Sequence, residues 1–191
     1  MALNGYVPSA ASGVTIGFGV DLGQLSVATL ERYKVDPSII KELEAWPWIG
    51  KKGSQAQAEL DAHMLTLSVT DATTLSNEVF QGVYNDIKTN FDNNNELTFY
   101  TFEQLPAGVQ TALTDMEYNN GNIWDAASAL VRQAANDAED GDWSGVVQEL
   151  GALAKTNTRY KDDKTDVQNA IDEHLIPAKA NLDNGHGGEC P

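Results

Sequence analysis

Residues 12–23, SGVTIGFGVDLG, crowd four glycines, a threonine and an aspartate into one short segment of a chain that otherwise has helical periodicity. The alternating, β-branched residues of this stretch are broken by Gly17 and Gly19, a pattern that predicts a hairpin over residues 13–22 with a tight glycine turn. No other segment has convincing strand character. Thr15 and Asp21 then flank the Gly17-Phe18-Gly19 turn and can face one cleft from neighbouring antiparallel strands. A hydroxyl and a carboxylate so placed suit the holding and deprotonation of a water molecule. Glycines at the turn let a bulky polymeric ligand come close to the backbone. The same residues also admit a plainer reading, since threonine favours strands and aspartate favours turns.

Outward from the hairpin, capping residues precede helical periodicity again and again. Ser26 stands before VATLERYK, Asp36 and Pro37 before SIIKELEAW, and Ser54 before QAQAELDAHMLTL. The clearest helix runs from about Asp71 to Phe91, where Leu75, Val79, Val83, Ile87 and Phe91 form a stripe that Phe80 and Tyr84 widen. It ends in the turn-rich FDNNNEL, after which Pro106 opens a helix that Gly121 closes. Further helices are expected over residues 124–140, 143–155 and 163–176, and a loose tail from Leu182. With no internal repeat and no linker, residues 1–181 read as a single domain. A small hairpin lobe and a larger helical lobe joined by the long helix give a mainly helical α+β fold, with a ligand cleft between the lobes.

Composition narrows the function classes. A chain of 191 residues with 41% hydrophobic residues can bury a core, and its net charge of −16 opposes binding to nucleic acid or to anionic membrane surfaces. Apolar runs fall short of the roughly 18 residues of a membrane span. The start, MALNGYVPSA, lacks the basic and apolar regions of a signal peptide, so export would use another route or a segment not shown. Cys190 is the single cysteine, which excludes an internal disulfide and leaves a disulfide-linked homodimer open.

GYVPSAASGVTIGFGVDLGQ, residues 5–24, resembles the catalytic hairpin of phage-type lysozymes, and most closely that of pesticin-like muramidases. Thr15-Ile16-Gly17-x-Gly19 matches their shared T-I-G-x-G, and Asp21 within G-x-D-L-G is the pesticin-like arrangement. Pro47-Trp48-Ile49-Gly50-Lys51-Lys52-Gly53 is similar to a second landmark. Tyr118-Asn119-Asn120-Gly121 is similar to a Y-N-x-G helix end, and Thr158-Arg159-Tyr160 falls near an Arg-bearing segment of the last helices. The resemblance implies a two-lobed lysozyme fold that cleaves the β-1,4 bond between N-acetylmuramic acid and N-acetylglucosamine in peptidoglycan. It implies Asp21 as base or stabiliser and Thr15 as a positioner of water. Gly17, Phe18, Gly19, Glu117, Tyr118 and Asn119 are the expected contacts to substrate.

The resemblance also implies a general-acid glutamate on a helix just before the hairpin, but residues 1–14 contain no Asp or Glu, so the donor lies in a segment not shown, is absent, or is replaced by another carboxylate. Glu117 is the preferred substitute and Glu31 a weaker one, each being an ordinary surface helix residue on the alternative reading. Losing a proton donor forfeits a factor of about 10² to 10⁴ in rate. A lectin-like, glycan-binding protein on the same fold is therefore the rival expectation. No metal or cofactor is implied. His63, His174 and His186 lack ligand spacing, residues 137–142 (DAEDGD) lack a calcium-loop pattern, and GFG lacks the lysine of a phosphate loop. Trp46, Trp48, Trp124 and Trp143 are expected mostly in helix packing, with sugar stacking as the other role.

Overall fold

The computed structural model describes residues 1–94 and 101–176. The tail from Leu182, Cys190, His186 and part of the FDNNNEL turn lie outside the described residues. The chain forms two compact units, residues 1–83 and 84–191, and the division falls inside one long helix.

The first unit is built on a three-stranded antiparallel sheet in the order β1 (Ala2–Tyr6), β2 (Thr15–Gly17), β3 (Val20–Asp21). Strands β2 and β3 are the expected hairpin, with Ile16 opposite Val20 and Thr15 opposite Asp21. Strand β1 is a correction to the sequence reading. ALNGY has little strand propensity, and it is held by partners that lie far away in sequence. Ala2 pairs with Gly17 and Tyr6 with Thr15, while on the other side Gly5 N–H donates to Leu65 O at 2.9 Å and Leu67 N–H to Leu3 O at 3.0 Å.

That pairing also explains why α3 (Gly53–Ala62) stops before the expected Leu67: residues 65–67 are drawn out as an edge to β1. Helix α3 starts at Gly53, behind Lys52, and not after Ser54. Helices α1 (Val27–Arg32) and α2 (Pro37–Leu43) begin where the caps foretell. Ser26 accepts from the Thr29 amide and Asp36 from the Ser38 amide. Trp46 lies beyond the end of α2.

Helix α4 (Val69–Asn94) carries the stripe into both units. Leu75 and Val79 are buried in the first, Ile87 and Phe91 in the second. Phe80 does not widen that stripe; turned about 100° from Val79 around the helix, it is 49% exposed. Tyr84 is half-buried, its hydroxyl donating to Gln110 Oε1.

The second unit packs α5 (Ala107–Asn120), α6 (Ala129–Glu139), α7 (Trp143–Leu153) and α8 (Tyr160–Asp172) around Phe102, Leu113, Met116, Val131, Val146 and Val167. Three buried alanines, Ala134, Ala135 and Ala138, give α6 a flat face against α7. Pro106 precedes α5 and Gly121 follows it at φ 72°, the left-handed exit that glycine takes without strain. Helix α6 starts five residues later than the sequence suggested, at the Ser128 cap, and α8 starts three residues earlier, behind Arg159. Among the described residues no helix is long and apolar enough to cross a membrane.

Candidate functional site

The hairpin is framed by its glycines. Asp21 Oδ1 accepts hydrogen bonds from the amides of both Gly13 and Gly23, each at 2.8 Å. Two backbone donors reach one oxygen only because the two glycines nearly touch. A Cβ on Gly13 would lie 2.3 Å from Gly23 N, and one on Gly23 would lie 2.6 Å from Gly13 Cα. Gly17 has φ 65° and faces α4, where an added Cβ would meet Ser76 Oγ at 2.3 Å. Ser76 Oγ accepts from the Phe18 amide at 3.0 Å and donates to Ala72 O at 2.7 Å, which pins the turn to α4.

Asp21 is half-buried, and among the described residues its Oδ2 accepts no hydrogen bond. One oxygen therefore holds the loop while the other is left for a ligand or water. Thr15 is 4% exposed, and its hydroxyl donates to Gly13 O at 3.4 Å, at the weak end of hydrogen bonding. Phe18, at the tip, is 63% exposed. The second sequence landmark packs beside this frame: Gly50 N–H donates to Leu22 O at 2.9 Å and Gly53 N–H to Ser12 O at 2.8 Å.

Glu117, Tyr118 and Asn119 belong to the second unit, at the end of α5. Glu117 is buried, and its Oε2 accepts from the Ile123 amide at 2.9 Å, tying the helix to the loop that follows. Burial pushes its carboxyl up to about 7, opposed by the Ile123 bond and aided by the charge of Asp86. It is not the solvent-facing residue of the alternative reading. Glu31 is exposed on the rim of a groove of about 550 Å³ floored by Val35, Pro37 and Ile40.

The tertiary structure joins the Tyr118-Asn119 motif to Thr158-Arg159-Tyr160, 40 residues away in the chain. Arg159 grips Asp115 with Nε (2.5 Å) and Nη2, donates from Nη1 to Asn119 Oδ1 at 3.2 Å, and lies 5.7 Å from the centre of the Tyr118 ring. Asn120 Nδ2 donates to the Tyr160 hydroxyl at 2.8 Å. Asp115 was not singled out from the sequence, and its only signal there is its place one helical turn before Asn119.

Trp143 is buried at the start of α7, Trp48 is buried in the turn after α2 with its Nε1 donating to His63 O at 3.1 Å, and Trp124 donates from Nε1 to Glu139 Oε2 at 3.1 Å. Trp46 is exposed instead and stacks on His63 with ring centres 3.3 Å apart. Asp142 in DAEDGD caps α7 by accepting from the Gly145 amide at 3.0 Å. Among the described residues no group of three or more His, Cys, Asp or Glu is placed to hold a metal ion.

A three-stranded sheet with threonine and aspartate opposed at its hairpin, followed by a long helix and a packed set of helices, defines a lysozyme-like protein of the α+β class. The family model described as "Pesticin: Bacterial toxin homologue of phage lysozyme, C-term" matches residues 1–140. The chain belongs to that family. No curated protein matches it.

Proposed function

We propose that the chain acts on peptidoglycan, at the β-1,4 linkage between N-acetylmuramic acid and N-acetylglucosamine, with residues 1–181 as one working domain. The observation that carries this reading is the direct opposition of Thr15 and Asp21 on β2 and β3. Asp21 Oδ2, open while Oδ1 is tied to two amides, is the base that draws a proton from the attacking water or steadies the developing cationic sugar. Thr15, loosely bonded through Oγ1, turns toward that water and orients it. Phe18 and the Gly17 and Gly19 backbone meet the glycan chain.

Glu117 is the candidate proton donor on the chemistry of its own carboxyl. A carboxyl held near 7 is protonated in weakly acidic conditions and about half so at neutrality, as a general acid must be. Its 6% exposure requires the loop around Ile123 to open before the carboxyl meets a leaving oxygen.

That burial favours a second reading in which the same hairpin binds glycan without cleaving it. One experiment separates them. Purified peptidoglycan is incubated with the chain and with Asp21→Asn and Glu117→Gln, and released reducing ends are counted. Cleavage lost in both variants supports the hydrolase with Glu117 as donor. Cleavage that survives Glu117→Gln removes Glu117 from the mechanism, and cleavage that survives Asp21→Asn removes Asp21. No cleavage by the parent, together with binding of chitooligosaccharides, supports the lectin-like reading.

A further inference from the structure

Asp163, in the first turn of α8, is 6% exposed, and its Oδ2 has no hydrogen-bond partner among the described residues. A buried carboxylate oxygen left bare is costly unless it carries a proton. Its neighbour across the helix pair is Asp115 of α5, whose two oxygens are already gripped by Arg159. The groups acting on Asp163 are Asp115 from α5, Arg159 at the cap just before α8, and Asp166 on α8 itself, with the Tyr160 hydroxyl close by. Two facing carboxyls and one guanidinium leave one negative charge without a counter-charge. A single proton removes it.

We propose that Asp163 holds a proton and donates it to Asp115, and that this shared proton is a pH-sensitive latch that keeps α5 and α8 closed and positions Arg159 against Tyr118 and Asn119. Burial first, then the charge of Asp115 and the hydrogen bond to it, push the Asp163 carboxyl up to about 7, with Arg159 pulling the other way. When pH rises through that range the proton passes to solvent, and two carboxylates then repel across the helix junction. Arg159 can neutralise only one of them. In the unfolded chain Asp163 ionises near its ordinary value of 3.8, so the stabilisation is fully present below that value and is lost as pH rises through about 7. Asp163 is a positioning residue here; it acts on Arg159 through Asp115. The latch does not depend on the peptidoglycan reading, and its test uses no glycan.

Thermal unfolding of the full chain is followed from pH 5 to pH 9 for the parent and for Asp163→Asn, whose amide donates to Asp115 at every pH. Glu117 titrates in the same window, so the pair is compared in a Glu117→Gln background. The protein carrying Asp163 should lose on the order of 5 °C more of its melting temperature across this range than the Asp163→Asn protein. Equal pH slopes in the pair would overturn the latch. Because Asp163→Asn can fail to fold, the Asp163 carboxyl is also titrated by carbon-13 NMR in the parent protein. Titration near neutrality, accompanied by shifts in the Arg159 side-chain nitrogens, supports the proposal, and titration in the ordinary carboxylate range refutes it.

Discussion

Gly13 and Gly23 approach so closely that their amides converge on a single oxygen of Asp21, and a Cβ on Gly13 would sit 2.3 Å from the backbone nitrogen of Gly23. Neither position tolerates alanine without movement of the backbone that holds Asp21. Gly13→Ala and Gly23→Ala should each destabilise by about 1–3 kcal/mol or more, read as a lowered urea midpoint with unchanged m-value.

Asp21 ties one oxygen to two glycine amides and leaves the other open, and substitution can separate this anchor from the proposed role as base. Asp21→Asn keeps an oxygen for the glycine amides, so its melting temperature should stay within a few degrees of the parent while hydrolysis falls about 10² to 10⁴-fold. Asp21→Ala leaves two amides unpaired and should lose stability as well, by roughly 1–3 kcal/mol. Calorimetry on both variants beside a turbidity assay checks the split.

Phe18 is 63% exposed at the hairpin tip while its amide is tied to Ser76. Phe18→Ala should therefore leave stability within about 0.5 kcal/mol, and any weakening of chitooligosaccharide binding would come from the lost ring itself. Ser76→Ala should do the reverse, costing about 1 kcal/mol through the unpaired Phe18 amide. Isothermal titration and melting curves on the two variants distinguish the roles.

Glu117 gives the second unit a pH dependence of its own. Its carboxyl is raised from 4.5 to about 7 by burial, so the folded state holds a proton that the unfolded state has released between those values. Stability from this group is complete below 4.5 and declines as pH rises through 7. Glu117→Gln, whose amide oxygen can still accept from Ile123, should flatten that decline and melt higher than the parent at pH 8. An unchanged pH slope in Glu117→Gln would show that the carboxyl is solvated in the folded protein.

Much of this protein is legible in residue order because short-range physics sets it. The Ser26 and Asp36 caps, the Pro106 start and Gly121 end of α5, and the four-residue stripe on α4 depend on neighbours within a turn or two. The hairpin belongs to the same class. Strand alternation and a glycine turn are local signals that bring Thr15 opposite Asp21, although Ser76 and β1 then hold the hairpin in place.

Tertiary structure decided what depends on distant partners. Strand β1 exists because Gly17, Thr15 and the segment at Leu65 and Leu67 satisfy its backbone, not because ALNGY favours a strand. Asp21 proved to be a structural anchor through one oxygen only once Gly13 and Gly23 were brought together, a contact that composition cannot announce. Glu117 looks like any helix glutamate in the sequence, and Asp115, Arg159 and Asp163 like scattered surface charge. Packing α8 against α5 sets Arg159 on Asp115 and buries Asp163, and lost solvation raises the Asp163 carboxyl, as burial beside the Ile123 loop raises that of Glu117.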